Sequence, residues 1–401
     1  MSTLKLASRL DVIKPSATIA VAQKARELSA AGKDVLSFSL GEPDFPTPES
    51  ICEAAHAAIR AGATHYTTAR GVQELREVIV ETSAKRRGGV RHRPEEVVVT
   101  VGAKHALFNL ALALYGPGDE VIIPAPYWVS YPEQVRLVGA TAVIAETTEE
   151  QGFRLQPETL RAAITDRTRA LILCTPSNPT GSAYDADSLK ALLEVCAEHD
   201  FWIIVDEIYG ELIYGGFENR SALELAPELK DRMVVVDGVS KTYAMTGWRI
   251  GWLLAPTQVA NACDTLQSQS TSNPTAVAQY AALAALTGPQ EPVVEMCAAF
   301  ERRRDLIIGR INAIDGLHAR MPEGAFYAFV DARALVGRHA AGKRIESDVD
   351  LAGYLLDEAC CALVPGTAFG APGYLRMSYA TSEDQIETGM ARIAAAVAKL
   401  S

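Results

Sequence analysis

The chain has 401 residues, of which 48% are hydrophobic and 22% charged, with a formal net charge of -11. Such a composition supports a buried core, and the length exceeds what one simple core usually sustains, so two domains are expected. The acidic balance argues against an extended basic surface for nucleic acid but leaves room for a local cationic pocket that holds an anion.

Seven cysteines form no C-x-x-C pair. The odd count points to buried thiols in a reducing compartment, not to a disulfide framework or a zinc knuckle, and no metal is expected. Met1-Ser2-Thr3-Leu4-Lys5-Leu6 is not followed by a long apolar region, and no charge-free apolar span reaches the length of a membrane helix. The expectation is a cytoplasmic protein that neither enters a membrane nor binds nucleic acid.

In chain order, Pro15-Ser16 offers a stop and a cap for a helix ended by Gly32. Val35–Phe38 reads as a short strand. Gly41-Glu42-Pro43-Asp44-Phe45-Pro46-Thr47-Pro48 is too rich in Pro and Gly to be regular and is read as a hinge or lid. Helices are predicted from Pro48 to about Ala61 and from Val72 to about Arg87, joined by a polar loop containing Tyr66. Glu96–Thr100 is a strand, and Val101-Gly102-Ala103-Lys104-His105 turns into a helix over Ala106–Leu114. The N–H groups at such a helix start favour a phosphate, whereas Lys104 in the first turn opposes the helix dipole unless an anion is bound. Pro126–Tyr131 is aromatic; its rings, Trp128 among them, suit either stacking on a planar group or packing at a helix start.

Residues 118–124 read as a turn and a strand; further strands are expected at 141–145, 170–175, 201–205, 233–236 and 249–254, and helices at 158–164 and 187–198. Residues 227–229 should close another helix. The strands are continuously apolar, as for a sheet covered on both faces. Asn178, in Pro176-Ser177-Asn178-Pro179-Thr180-Gly181, Asp206 and Lys241 all fall just past strand C-termini, where open α/β sheets carry their sites. Asp206 follows five apolar residues; buried, it needs a partner or serves as a helix cap. No G-x-G-x-x-G follows an early strand, which disfavours a dinucleotide fold. Gln267–Pro274 reads as a polar break before an Ala-rich helix over 275–286. Helices are expected at 296–312, with Arg302-Arg303-Arg304 solvated, at 348–359 and at 383–400, and strands at 326–330 and 375–379.

The stretch Gly238-Val239-Ser240-Lys241-Thr242-Tyr243-Ala244-Met245-Thr246-Gly247-Trp248-Arg249 taken alone would also suit a surface loop. Together with G-E-P-D-F-P, V-G-A-K, S-N-P-T-G, D-E-I-Y and L-R-M-S-Y-A, in that chain order, it resembles the bacterial subgroup of the aspartate-aminotransferase family, fold-type-I enzymes that use pyridoxal 5'-phosphate. The resemblance covers nearly the whole chain. It implies a three-layer α/β/α large domain with a mostly parallel sheet over 48–288, and a smaller α+β domain from 289–401 together with an N-terminal arm and segment, 1–47.

The resemblance also assigns roles. Lys241 carries the cofactor and moves the proton; Asp206 sits beside the ring nitrogen; Tyr209 and Asn178 hydrogen-bond the phenolic oxygen; Trp128 lies over the ring. Arg249, Gly102 and Ala103 hold the phosphate, with Tyr66 from the partner subunit of a homodimer and a hydroxyl from Ser240; some relatives have a phosphate-binding serine where this chain has Gly238. Arg376 clamps the substrate α-carboxylate and Gly41 lies beside the entrance. Lys104 is the candidate for the distal carboxylate, with Ser16 and Thr18 lining the same entrance; no equivalent of the second-subunit arginine of animal-type relatives can be placed. The implied reaction is ping-pong transfer of the amino group of L-aspartate to 2-oxoglutarate. The alternatives are a broader enzyme using aromatic or prephenate acceptors, a lyase or decarboxylase of the same fold, and a non-catalytic protein retaining it.

Overall fold

The computed structural model describes residues 5–340 and 342–401; the first four residues of the Met1–Leu6 segment lie outside them. Along the chain come α1 (Ala17–Ala30), β1 (Leu36–Ser37), α2 (Glu49–Arg60), α3 (Gln73–Arg86), β2 (Val97–Val101), α4 (Ala103–Leu114), β3 (Glu120–Ala125), α5 (Ser130–Leu137), β4 (Thr141–Glu146), α6 (Pro157–Ala163), β5 (Thr168–Cys174), α7 (Ala186–Ala197), β6 (Trp202–Asp206), α8 (Ala222–Leu225), β7 (Met233–Gly238) and β8 (Ile250–Leu254). Then follow α9 (Thr257–Ser270), α10 (Ala276–Thr287), α11 (Glu291–Asn312), β9 (His318–Ala319), β10 (Tyr327–Asp331), β11 (His339–Ala340), β12 (Lys343–Arg344), α12 (Asp348–Glu358), β13 (Cys361–Ala362), β14 (Val364–Pro365), β15 (Tyr374–Ser378) and α13 (Glu383–Val397).

Strands β2 to β8 form one sheet in the order β2-β8-β7-β6-β5-β3-β4. β8 runs antiparallel to both its neighbours and every other pair is parallel. Successive side chains of a strand point to opposite faces. Ile203 and Val205 of β6 therefore join one core, with α2, α3, α7 and α10, whereas Ile204 joins another, with α4, α5 and α9. Both faces are covered, which is why these strands are apolar throughout instead of alternating.

A smaller domain has its own core, built on Phe300, Ile307, Phe326, Leu351 and Ile386. There β10 lies between β9 and β15, both antiparallel, and β14 extends the sheet beyond β15. β1 pairs in parallel with β13, and Phe38 is buried in the same core, so the N-terminal segment is tied to the C-terminal third. Among the described residues, no helix is long and apolar enough to cross a membrane, and no cluster of His, Cys, Asp and Glu could hold a metal.

Several stretches differ from expectation. The polar 267–274 break begins inside a helix, because α9 runs to Ser270. Gln267 is fully buried there: its amide donates to the carbonyls of Ala69 and Val99, and its oxygen accepts from Asn109 Nδ2 at 3.3 Å. A side chain of loop-like composition is in fact a buried cross-link. In the Arg302–Arg304 run only Arg302 is exposed. Arg303 pairs with Asp44 at 2.7 Å and lies over Phe45, while Arg304 pairs with Asp305 at 2.7 Å and lies over Tyr214. Consecutive helix residues point about 100° apart, so three arginines in a row cannot share one solvated face. Residues 227–229 open a short turn of 3-10 helix, Pro227–Arg232, after α8, instead of closing a helix. α11 starts earlier than expected, with Pro292 in its first turn, where a missing N–H breaks no helical hydrogen bond.

Candidate active site

Parallel pairing aligns the C-terminal ends of three strands. Cys174 of β5 lies opposite Asp206 of β6, and Asp206 lies opposite Val236 of β7. The chain leaving those ends carries Asn178, Tyr209 and Lys241 into a cavity of about 280 Å³ at the boundary with the smaller domain. β15 contributes Arg376 to the same cavity, and the irregular 41–48 segment contributes Gly41.

Lys241 has its amine enclosed. It donates to the carbonyl oxygen of Gly41 and sits 5.9 Å from the centre of the Tyr209 ring and 5.8 Å from that of Phe326. Burial lowers its pKa to about 8; Glu42 opposes that shift and the cations Arg249 and Arg376 reinforce it. A lysine so placed has a substantial neutral fraction close to physiological pH, as a nucleophile and proton carrier needs.

Asp206 is 3% exposed. One carboxylate oxygen accepts from the Tyr131 hydroxyl at 2.8 Å and the other from the Ile208 amide at 3.2 Å. Burial raises its pKa to about 6; the Tyr131 bond opposes that shift, while Asp237 and Glu207 add to it. Asp206 is not a simple helix cap, since its residue lies at a cavity wall and its strongest bond is to a side chain from another element. No cation forms a salt bridge with it among the described residues, so a bound cationic nitrogen would answer its charge.

On the opposite side, Arg249 is held in the left-handed region at φ 56° and donates from Nη1 to the Thr246 carbonyl at 2.7 Å. Gly102, at φ 78°, is the residue before α4, and a Cβ there would lie 2.5 Å from Arg249 Nη2. The bare glycine thus lets the guanidinium approach the free N–H groups at the start of α4, beside Ala103. A helix start with an arginine against it is a cradle for a phosphate. Lys104, on the first turn of α4, projects over Trp128, 4.7 Å from the ring centre, and burial together with the Arg249 charge lowers its pKa. Trp128 packs edge-on against Tyr131. Ser240 and the N-terminal Ser16 and Thr18 complete this rim.

Arg376 is 1% exposed. Its Nη1 donates to Asn178 Oδ1 at 3.0 Å and its Nη2 to the Ser39 carbonyl at 2.7 Å, but Nε has no partner. The guanidinium lies over Tyr327, 4.6 Å from the ring centre, and near Phe369. Tyr327 in turn shares a 2.9 Å hydrogen bond with the Tyr209 hydroxyl. A buried guanidinium with an unpartnered N–H and no carboxylate in salt-bridge range among the described residues is suited to take an incoming carboxylate.

Of the fifteen residues singled out from sequence, thirteen line this cavity, and Gly102 lies beside it against Arg249. The exception is Tyr66, 88% exposed on the loop between α2 and α3 and not among the residues lining this chain's own cavity. Sequence reasoning gave no role to Tyr131, Tyr327 or Cys174, all of which line the cavity. Tyr131 stood in the aromatic run and Tyr327 in a predicted strand, yet neither position carries a local signal that its hydroxyl meets Asp206 or Tyr209.

The model of the family "Aminotransferase class I and II" matches residues 33–393. The chain is 50% identical to the aspartate aminotransferase of Geobacillus stearothermophilus over 390 residues, 97% of this chain and 98% of that protein. It is 47% identical to the aspartate/prephenate aminotransferase of Cereibacter sphaeroides over 398 residues, 99% of each. Among solved structures it is similar to the aspartate aminotransferase of Rhizobium meliloti, with a TM-score of 0.96, 44% identity, and coverage of 99% of this chain and 100% of that one. The Thermus thermophilus aspartate aminotransferase with maleate has a TM-score of 0.92, 44% identity, and coverage of 98% of this chain and 100% of that one.

Proposed function

The chain belongs to the class I and II aminotransferase family, and from that premise we propose that it transfers the amino group of L-aspartate to 2-oxoglutarate, giving oxaloacetate and L-glutamate. It is a pyridoxal-phosphate-dependent aminotransferase. The observation that carries the substrate reading is one cavity in which the amine of Lys241, the carboxylate-ready Arg376 and the cationic rim residue Lys104 face the same space.

Pyridoxal phosphate, when bound, supplies the carbon that takes and returns the amino group and a ring that accepts electron density from the broken Cα–H bond. Arg249, Gly102 and the N–H groups opening α4 would hold its phosphate, with Tyr66 of the partner subunit in a homodimer whose sites are shared. Asp206 would keep a proton at the ring nitrogen, with Tyr131 fixing the orientation of that carboxylate. Asn178, whose Oδ1 already orients Arg376, has its amide N–H groups left for the phenolic oxygen, which Tyr209 would also meet. Trp128 would cover the ring. Arg376 binds the α-carboxylate and so sets the direction of the Cα–H bond, and Lys241 takes that proton and returns it on the other side of the transfer.

Replacing Gly102 with alanine should displace the Arg249 guanidinium and impose a left-handed φ on a residue with a Cβ. Loss of one charge-assisted contact predicts cofactor affinity about 10–100-fold weaker, read by titrating pyridoxal phosphate into stripped protein. Unchanged affinity would remove the cradle from this role.

The substrate reading is tested by mixing the loaded enzyme separately with L-aspartate, L-glutamate, L-phenylalanine and L-alanine and following the cofactor's visible absorption in a single turnover. Fast conversion with the two dicarboxylates alone is expected. Lys104→Ala should lower kcat/KM for the dicarboxylates by about 10-fold or more and spare phenylalanine; an equal loss for both removes Lys104 from the distal pocket. A second reading, with aromatic or prephenate acceptors, is favoured by the likeness to aspartate/prephenate aminotransferases and by the ring of Trp128 beside Lys104. Phenylalanine converted as fast as aspartate would establish it.

A further inference from the structure

Directly behind the cavity wall lies a second set of buried charges. Arg87, the residue that caps the C-terminus of α3, is 3% exposed. Its Nε donates to Glu207 Oε2 at 2.8 Å, its Nη2 to Asp237 Oδ2 at 2.9 Å and its Nη1 to Ser83 Oγ at 3.0 Å. The other oxygen of Glu207 accepts from the Ser221 hydroxyl at 2.6 Å, and the other oxygen of Asp237 accepts from the Gly238 amide at 2.7 Å. Each nitrogen of the guanidinium and each oxygen of the two carboxylates therefore has a partner.

The positions of these groups in the chain matter more than their number. Glu207 directly follows Asp206 at the end of β6, and Asp237 lies at the end of β7, four residues before Lys241. The Glu207 amide also donates to the Val236 carbonyl at 2.9 Å. One guanidinium thus grips the two strand ends that deliver Asp206 and Lys241. One cation facing two carboxylates leaves the group net negative where water is scarce. Buried ion networks of this kind are often no more stable than a well-packed apolar substitute, so stability alone does not account for it.

We propose that Arg87, Glu207 and Asp237 are positioning residues that lock the ends of β6 and β7 in register and set a fixed negative potential behind Asp206, favouring protonated nitrogens in the cavity. The proposal rests on the reading of Lys241 and Asp206 given above and extends it to residues that touch neither substrate nor cofactor. Glu207 and Asp237 both act on Asp206, whose carboxyl is pushed up first by burial and then by these neighbours. The other titratable groups facing that carboxylate are Tyr131, Cys174 and Lys241. Lys241 is faced by Glu42, Arg249, Arg376 and Asp206. His92, which faces Arg87, stays neutral through the working range because burial lowers its pKa to about 4. Tyr243 is faced by Arg86 and Glu211 as well as by Asp237.

The experiment is a pH titration of the visible absorption band of the loaded enzyme, whose midpoint follows the proton held at the Lys241 nitrogen. Glu207→Gln keeps the shape and the Arg87–Asp237 pair but deletes a negative charge, so the midpoint should fall by about half a pH unit or more. Asp237→Asn should shift it in the same direction. Arg87→Met deletes the positive charge and should raise it. Opposite signs for the carboxylate and arginine variants are not expected of a merely structural cluster, which would lower melting temperature in all three without ordering the midpoints by charge. Unmoved midpoints in Glu207→Gln and Asp237→Asn overturn the proposal, as does a shift of the same sign in Glu207→Gln and Arg87→Met. If Arg87→Met does not fold, the two carboxylate variants decide the matter. Absence of any visible band in the parent protein with added pyridoxal phosphate would instead defeat the underlying reading of Lys241.

Discussion

Lys241→Ala is expected to lower steady-state transamination by about 10⁴-fold while pyridoxal phosphate still binds through its phosphate contacts. In the proposed mechanism this amine takes and returns the substrate proton, and the described cavity offers no second lysine in the same enclosed position: Lys104 stands at the rim, over Trp128. Turnover at the parent rate would sink the assignment. The same side chain carries a signature in stability. Its pKa is about 8 in the folded protein against an ordinary 10.5, so the folded state binds fewer protons than the unfolded one between those values. Stability contributed at this residue therefore rises with pH across that window, and the cost of the buried ammonium is fully present below about pH 8. Lys241→Met, which keeps the volume and removes the charge, should melt higher than the parent at pH 7 in cofactor-stripped protein, with the gap closing toward pH 10.5. A gap that does not change with pH would show that the amine is not the source.

Arg376→Met should separate function from stability more sharply. The variant loses the proposed clamp for the α-carboxylate, and kcat/KM for aspartate and 2-oxoglutarate should fall by about 2–4 kcal/mol, roughly 30- to 1000-fold. Most substitutions at a position 1% exposed also destabilise the protein. Here the native side chain is a buried cation whose Nε is unpartnered and whose pKa is lowered by burial. Removing it takes away a desolvation cost along with its bonds to Asn178 and Ser39, so the melting temperature should hold or rise. A variant that is inactive because it has unfolded would refute this account; circular dichroism and kinetics on the same preparation distinguish the two results.

The sheet could be read from sequence because its signal is local. Four consecutive apolar residues at 202–205 or 233–236, short and rich in Ile and Val, read as a doubly covered strand. The motif residues could be read too, since Asn178, Asp206 and Lys241 each follow such a strand and topology does the rest. What escaped is decided at long range. Gln267 looks like a loop residue until the carbonyls of Ala69 and Val99 are beside it. Arg303 and Arg304 look solvated until the turn of α11 carries them over Phe45 and Tyr214. Arg87, Glu207 and Asp237 lie 120 and 150 residues apart in the bonds that join them, and no window of sequence displays that meeting. Tyr131 and Tyr327 were visible as aromatics, but their hydroxyl partners were not.

The bonds of Arg376 also bear on how the protein is made. Asn178 and Ser39, the residues that orient its guanidinium, precede it by 198 and 337 positions. The strands of the large sheet have all been synthesised once residue 254 has been added, and they pair without help from β15. The proposed cofactor end of the site can therefore form early, while the proposed carboxylate clamp waits for β15 to dock beside β10. Contacts of such sequence separation form slowly, because closing a long loop must precede any gain from the contact. A nascent or prematurely terminated chain that ends before β15 should therefore capture pyridoxal phosphate yet leave amino acids untouched. Competence toward substrate then serves as a late checkpoint of biosynthesis, reached only when the first forty residues and the last strand have found each other.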